Sequence, residues 1–548
     1  MKTLDRLRRS GGWVAWLLVV VLVSGTSACT RMIPLRLASP TLGEEVKKSK
    51  QVVATLWDRT TARFDRPRLD TDRVLRGGVV RCSGPSCERI VEQGWIRLDE
   101  VSGLEGRIYS RGKTATSVTL SVLGGALFVA GIVALVVVMR GSGSWGPTGG
   151  RLGSCPHVYS YDGAGWHLDS DTYGMAFFEA MEETDYDLLE RLRPVDGVYR
   201  LRLANELDET EHTDALALRV VDHPAGTRVV PSQSGELHTF RAEVAPVRAT
   251  DLRGREVRGL VAARDGVYFQ SDLGDRRVER AGDARDGLIL DFPKPAGARQ
   301  AKLWLSGMNT RFASVALGYL FAQMGPRGMK RFRERLKTDA AARRRFFEFM
   351  EREGMLSASV WTGRRWEQRG RFWPAGPDAR KDQALVLPIQ DLAGPRLRVR
   401  LEAATAFWTI DAVTADFGPD LPLEERKLTA RKAVADDGRD LTATLAAIDG
   451  QRYTTEQGER AELVFDAPPA PAPGLARSFV LESTGYYDLH LPPAPRGSIA
   501  AMRRVLEQPG QGSQLALALL LNALAADPAA ARLVAPERVQ PSAHHARP

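Results

Sequence analysis

Apolar and polar positions alternate with period two over much of the chain. Tyr199, Leu201 and Leu203 alternate with Arg200 and Arg202, and Leu216, Leu218 and Val220 resume the alternation beyond the polar stretch DETEHTD. One apolar and one charged face predict half-buried antiparallel strands. After Gly354 the rhythm returns: Leu397, Val399 and Leu401 alternate with Arg396, Arg398 and Arg400, and FWTIDAVTADF (407–417) reads as a well-buried strand pair. Val158–Tyr161, an Asp162-Gly163 turn and Trp166–Asp169 predict a hairpin, because Asp-Gly supplies the positive φ of a tight turn. Residues 40–115 carry short runs such as Val52–Trp57 and Trp95–Val101, the pattern of a small β-barrel or roll. Helical spacing is predicted at about 175–192, at 311–353 and at about 513–526. The middle segment splits into Phe312–Met324, stopped by Gly325-Pro326, and a second helix at about 328–353. That second helix aligns Phe332, Leu336, Ala340, Phe347 and Met350 opposite a basic face with Arg331, Arg335 and Arg343–Arg345.

Two apolar runs change the picture. Lys2, Arg6, Arg8 and Arg9 precede the apolar stretch Trp13–Val23, and small residues lead to Cys29. This is the layout of an export signal. The Cys after small residues resembles the lipobox of bacterial lipoproteins, which implies lipidation of Cys29; an uncleaved signal anchor and an ordinary cleaved signal are the alternatives. Thr116–Met139 contains no charged residue, and its length predicts a transmembrane helix. Ala126, Ala130 and Ala134 recur every four residues within it, spacing that allows a homodimer through close helix packing and that also occurs in lone spans. By alternation residues 30–115 are expected on the periplasmic side of an inner membrane, with the lipid bilayer as a partner. A lipoprotein destined for the outer membrane would not carry such a span, so the two signals conflict over which membrane holds the chain.

The predicted fold class is thus mainly β with a helical insertion (α+β): a small N-terminal β-barrel or roll, one transmembrane helix, then antiparallel β-sandwich-like domains. The expected order is a lipoprotein-type signal peptide at 1–28, a small β domain at 30–115, the transmembrane helix at 116–139 and a Gly-rich linker at 140–154. There follow a β-rich domain at 155–310, a helical insertion at 311–355, a β-sandwich-like module at 356–420, a β-rich module at 421–497, and an Ala/Leu-rich helix with a polar tail at 498–548. The 356–418 stretch is similar to a jelly-roll, galactose-binding-like module.

Composition narrows the function classes. The 548 residues are 43% hydrophobic and 26% charged, which excludes a disordered chain. Gly 51 and Pro 31 suit a turn-rich β protein. A net charge of +9 over this length is too dilute to predict a nucleic-acid partner. Cys82 and Cys87 in RCSGPSCER suggest a disulfide-closed hairpin, with a zinc pair as the alternative.

CPHVYSYDG (155–163), LRPVDGVYRLRLANELDET (192–210) and VVDHPAG (220–226) resemble a recurring block of uncharacterised bacterial envelope proteins. REGML (352–356), GRDL (438–441) and TGYYDLHL (484–491) extend the resemblance over most of 155–491. It implies an envelope architecture and no activity.

Catalytic signatures are not found. No His spacing suits zinc, and no nucleophile elbow or P-loop occurs. Gly141, Gly143 and Gly146 spell a dinucleotide motif in the wrong context, before Pro147. Asp169, Asp171, Glu179, Glu182, Glu183, Asp185 and Asp187 form the densest acidic patch. It has the oxygen ligands for Ca²⁺ but not the order of a calcium loop, and a solvated helix face is the bland alternative. His167 and Asp169 share a strand face, as a functional or a surface pair. Trp361, Trp366, Trp373 and Trp408 are sugar-stacking candidates or core. The expectation is a membrane-anchored, non-enzymatic envelope protein without catalytic residues, metal or cofactor, acting as binding module or scaffold for an unknown protein or glycan. The alternatives are a transmembrane signal transducer sensing through 30–115, and a carbohydrate-active or carbohydrate-binding protein.

Overall fold

The computed structural model describes residues 30–34, 42–49, 51–56, 61–70, 74–82, 92–98, 101–109, 156–274, 276–490, 503 and 505–534. The chain forms two compact units, Met1–Gly125 and Ala126–Pro548.

The first unit contains β1 (Thr30–Pro34), α1 (Leu42–Lys48), β2 (Gln51–Leu56), β3 (Thr61–Leu69), β4 (Val74–Cys82), β5 (Glu92–Arg97) and β6 (Val101–Tyr109). Its antiparallel sheet runs in the order β1-β6-β2-β3-β4-β5. Alternate residues Val52 and Ala54, with Phe64, Leu75 and Leu104, bury one face against Leu42 and Val46 of α1. Among the described residues β1 and β5 do not pair, so the expected barrel or roll is an open sheet carrying a helix.

The second unit begins one sandwich, leaves it to build another, and returns. The host sandwich starts with β7 (His157–Tyr161), β8 (Trp166–Asp171), β9 (Glu183–Leu188), β10 (Val198–Ala204) and β11 (Glu209–Pro224). The insert holds β12 (Arg228–Pro231), β13 (Leu237–Phe240), β14 (Arg248–Asp251), β15 (Arg285–Pro293), β16 (Gln300–Asn309), β17 (Leu356–Trp361), β18 (Trp366–Phe372), β19 (Lys381–Pro388), β20 (Arg396–Ala404) and β21 (Trp408–Asp416). Within it lie α2 (Arg311–Ala322), α3 (Gly325–Thr338) and α4 (Ala340–Glu353). The chain then completes the host with β22 (Glu424–Thr429), β23 (Lys432–Ala435), β24 (Tyr453–Thr455), β25 (Arg460–Asp466) and β26 (Leu475–Leu489), followed by α5 (Gln511–Ala526).

The host sheets are β23-β25-β10-β7-β8 and β22-β11-β26-β9, with β24 beside β11. Leu201, Leu203 and Leu463 of one meet Leu216, Leu218 and Leu481 of the other, and their alternating Arg partners point outward. The insert sheets are β14-β15-β20-β17-β18 and β19-β16-β21. Leu288, Val399 and Leu401 pack against Leu303, Leu305 and Val413, with Phe312 of α2 and Leu520 of α5 closing the core. Burying each such side chain stabilises by about 1.5–3 kcal/mol. All nine residues of β21 are buried although it is a sheet edge. Loop backbone covers that edge: the Val244 and Phe269 N–H groups donate to Ala415 and Ile410 at 2.8 Å each. An unpaired edge would otherwise invite another chain.

The helices join host to insert. Phe321, Leu336, Phe346 and Met350 pack on Tyr173, Phe177 and Phe178 and on Tyr486-Tyr487 of β26. The continuous helix expected at 328–353 is two, because the Asp339 side chain accepts from the Ala341 and Ala342 N–H groups and caps α4. Arg331, Arg335 and Arg343–Arg345 stay exposed.

Three expectations are corrected. The longest described helix, α5, has 16 residues, about 24 Å against a hydrocarbon core of about 30 Å. It packs Leu517 and Leu520 into protein. No helix among the described residues is long and apolar enough to cross a membrane. The fold class is therefore mainly β, with several antiparallel sheets and a helical insertion, and among the described residues the expected transmembrane helix is not found. Residues 1–28, Cys29, Cys87, the span at 116–139 with Ala126, Ala130 and Ala134, and the linker at 140–154 lie outside the described residues. Nothing among the described residues supports a signal peptide or a lipoprotein anchor. Second, 356–418 is not a self-contained sandwich: β17, β18 and β20 complete a sheet with β14 and β15, and β19 and β21 flank β16. Third, the helix expected at 175–192 is a short 3₁₀ turn at Glu179–Met181 followed by β9.

Candidate functional site

The edge strands β18 and β19 belong to different sheets of the insert, and the β12–β13 hairpin lies alongside. Together they line a groove of about 730 Å³. Ser234, Glu236 and Gln368 are its exposed side chains, and Trp373, Arg369 and His238 contribute deeper surface. His238 Nδ1 lies 2.9 Å from Asp420 Oδ2, and Asp420 Oδ1 accepts from the buried Lys302 Nζ at 3.0 Å. Arg369 donates to Asp391 Oδ1 at 2.6 Å. Gly370 lets the sheets close up: a Cβ there would sit 2.7 Å from Leu385 Cδ1. Hydroxyl, amide and charged groups beside one indole suit a polar, hydroxyl-rich ligand of moderate size.

A second concentration of chemistry lies at the seam between host and insert. The β7–β8 register sets His157 opposite Asp171. Asp378 arrives from the loop joining β18 to β19, and one donor atom from each of the three lies within 4.8 Å of the others. His157 is fully buried, with Nε2 3.4 Å from Asp378 Oδ2 and Nδ1 3.5 Å from Glu206 Oε2. Among the described residues neither ring nitrogen has a partner in hydrogen-bonding geometry, and neither do Asp171 Oδ1 and Asp378 Oδ2. The other oxygens are engaged: Asp171 Oδ2 accepts from the Asp378 N–H at 2.8 Å, and Asp378 Oδ1 from Arg311 Nη2 at 2.8 Å. Gly376 makes the approach possible, since a Cβ there would lie 2.0 Å from Asp171 Oδ2. Burial opposes a charge on His157, but the carboxylates of Asp378, Glu206 and Asp171 outweigh it and raise its pKa to about 10. Burial pushes Asp171 up to about 7, although the charge of His157 pulls the other way.

Further along the seam Lys381 is buried between Asp185 and Asp187, its Nζ 3.0 Å from Asp187 Oδ1. Burial, reinforced by the charge of Asp185, lifts Glu183 to about 8 and Asp187 to about 6. Glu190 of the host bonds Arg264 and Arg380 of the insert, at 2.5 Å and 3.3 Å.

The acidic patch is thus divided among several partners. Asp169 accepts from the Glu190 and Arg191 N–H groups, Glu182 pairs with Arg452, and Glu179 with Lys337. His167 does not pair with Asp169; its Nε2 lies 2.8 Å from Asp162 Oδ2. Trp408 is core, Trp361 and Trp366 stack edge to face at 5.5 Å, and Trp373 alone of the four lines the groove. Cys82 ends β4, and its expected partner is outside the described residues. Sequence reading missed His157, Asp378 and Lys381 because their partners lie far away in the chain.

No family model matches this chain, and no curated protein does. Two solved chains share 8% identity with it at a TM-score of 0.11. One, described with a triple jelly-roll fold and turret assembly in an archaeal virus, aligns over 57% of this chain and 90% of its own. The other, from Sulfolobus Turreted Icosahedral Virus, aligns over 57% and 91%. At that TM-score the likeness carries no argument about fold or function.

Proposed function

We propose that this chain is a non-enzymatic binding module that takes a glycan in the groove between β18, β19 and the β12–β13 hairpin. The observation that supports this reading is the groove itself: about 730 Å³, within the size range of small-ligand sites, with Ser234, Glu236 and Gln368 exposed beside Trp373. Hydroxyl, carboxylate and amide groups exchange hydrogen bonds with sugar hydroxyls, and an indole offers the apolar face that a pyranose ring stacks on.

The test is a glycan array probed with the full chain, then titration of the retained glycan. Gln368→Ala and Glu236→Ala change exposed side chains, so the fold is retained, and each is expected to weaken binding about tenfold. An array on which nothing is retained, or variants that bind like the parent, would sink the reading.

A further inference from the structure

We infer that His157, Asp171 and Asp378 form a site for one first-row divalent cation, zinc by the chemistry of the donors, which staples the inserted sandwich to its host. The three side chains come from both partners: His157 and Asp171 from the host hairpin, Asp378 from an insert loop. Both carboxylates have one oxygen already held, and the far ring nitrogen of His157 has a carboxylate beside it at 3.5 Å. His157 Nδ1 faces Glu206, whose other oxygen accepts from the Tyr159 hydroxyl at 2.6 Å. Asp171 Oδ2 is held by the Asp378 N–H, and Asp378 Oδ1 by Arg311. What remains is an imidazole Nε2 and two carboxylate oxygens, buried and without hydrogen bonds.

Orphaned buried polar atoms are rare, and three in one place demand a partner. Ligands about 2.0–2.2 Å from a tetrahedral ion lie roughly 3.4 Å apart, the separation already present between Nε2 and Asp378 Oδ2. A carboxylate on the far ring nitrogen is the usual outer partner of a metal-bound histidine, since it fixes the tautomer and turns the Nε2 lone pair to the ion. One imidazole with two carboxylates suits zinc better than calcium, which prefers oxygen ligands throughout. His157 and Asp171 are buried and Asp378 half-buried, so the ion would be enclosed by protein, with the fourth tetrahedral position left to a water.

The competing arrangement is an imidazolium shared among the carboxylates with no ion. Metal analysis separates the two, using untagged full chain carrying His544→Ala and His545→Ala so that the tail histidines bind nothing. About one equivalent of zinc per chain is expected. It should be removed by a strong chelator with a Tm lowered by several degrees, and restored by Zn²⁺ but not Ca²⁺. Asp378→Asn should lose the metal, and Glu206→Gln should weaken affinity by about 10–100-fold while leaving the donors in place. Co²⁺ bound to the stripped protein should show tetrahedral visible bands that vanish in His157→Ala. A chain that neither carries nor takes up zinc, with a Tm indifferent to chelator, overturns the inference, as does metal retained by both His157→Ala and Asp378→Asn. None of these readouts involves glycan, so this inference and the binding proposal fail independently.

Discussion

The host and insert sandwiches both bury charge, but they find its partners in different places. In the insert, aliphatic side chains such as Leu288, Val399, Leu401 and Leu305 fill the space between the sheets. Its fully buried cations, Arg276 and Lys302, bond mainly to carbonyl oxygens and one carboxylate each. Its buried acids, among them Asp251, Asp286, Asp382, Asp411 and Asp416, are met by N–H groups and cations of the insert itself. The host buries Asp171, Asp185, Asp187, Glu209 and Glu211. Asp171 faces Asp378, and Asp185 and Asp187 face Lys381, both from the insert. The insert therefore answers its own buried charges, whereas Asp171, Asp185 and Asp187 of the host find their partners in the insert. Removing one member of a buried pair leaves an uncompensated charge, so such a seam is specific about what docks there.

The largest effect should come from the insert core. A Cβ on Gly287 would lie 1.9 Å from the Leu401 carbonyl oxygen, so Gly287→Ala blocks the β15–β20 ladder. The expected loss exceeds about 4 kcal/mol, read as early proteolysis within residues 228–417 while the 157–224 and 424–489 fragments stay protected. Next comes the seam: Lys381→Ala strands Asp185 and Asp187 and should cost about 3–5 kcal/mol. Lys381→Met in an Asp185→Asn/Asp187→Asn background should recover most of it; equal denaturation midpoints for parent and Lys381→Ala would break the contrast drawn above.

The seam should also respond to pH. Glu183 is raised from 4.5 to about 8. The folded state therefore holds a proton that the unfolded state releases, and stability present below about pH 4.5 is lost as pH rises toward 8. At its steepest the slope is about 1.4 kcal/mol per pH unit. In Glu183→Gln the fall in Tm between pH 5 and pH 8 should be shallower than in the parent; identical profiles would refute this assignment. The smallest effect tests the helices between the two regions: Asp339→Ala removes the α4 cap and should cost about 1 kcal/mol, visible as a small midpoint shift with unchanged cooperativity.

The β7–β8 hairpin shows how much of the site could be read from sequence and where reading stops. Its turn and strands are plain in the sequence, and Tyr161 pairs with Trp166 across the four-residue loop 162–165. Carried onward without interruption, that register would set His157 opposite Ser170. A bulge between Val158 and Tyr159 shifts it by one and brings Asp171 across instead. Asp169, the extra residue, turns to the Glu190 and Arg191 N–H groups. A single-residue register change moves every later side chain to a new neighbour, and no local signal announced it. The groove was equally hidden, apart from Trp373, because its walls come from a hairpin and two strands separated by over a hundred residues.

Local pattern alone determined the strands around 199–203, 216–220 and 397–401, the turn at Asp162-Gly163, the helix stop before Pro326 and the helix near 513–526. Each depends on side-chain periodicity or on one residue's backbone geometry, which neighbours in the chain suffice to express. Tertiary structure decided that β11 pairs with β26 from the far end of the unit, that one sandwich is inserted in the other, and that His157 meets Asp378. The backbone ladder is chemically alike for any partner strand, so the choice falls to the packing of whole sheets and to the pairing of buried charges.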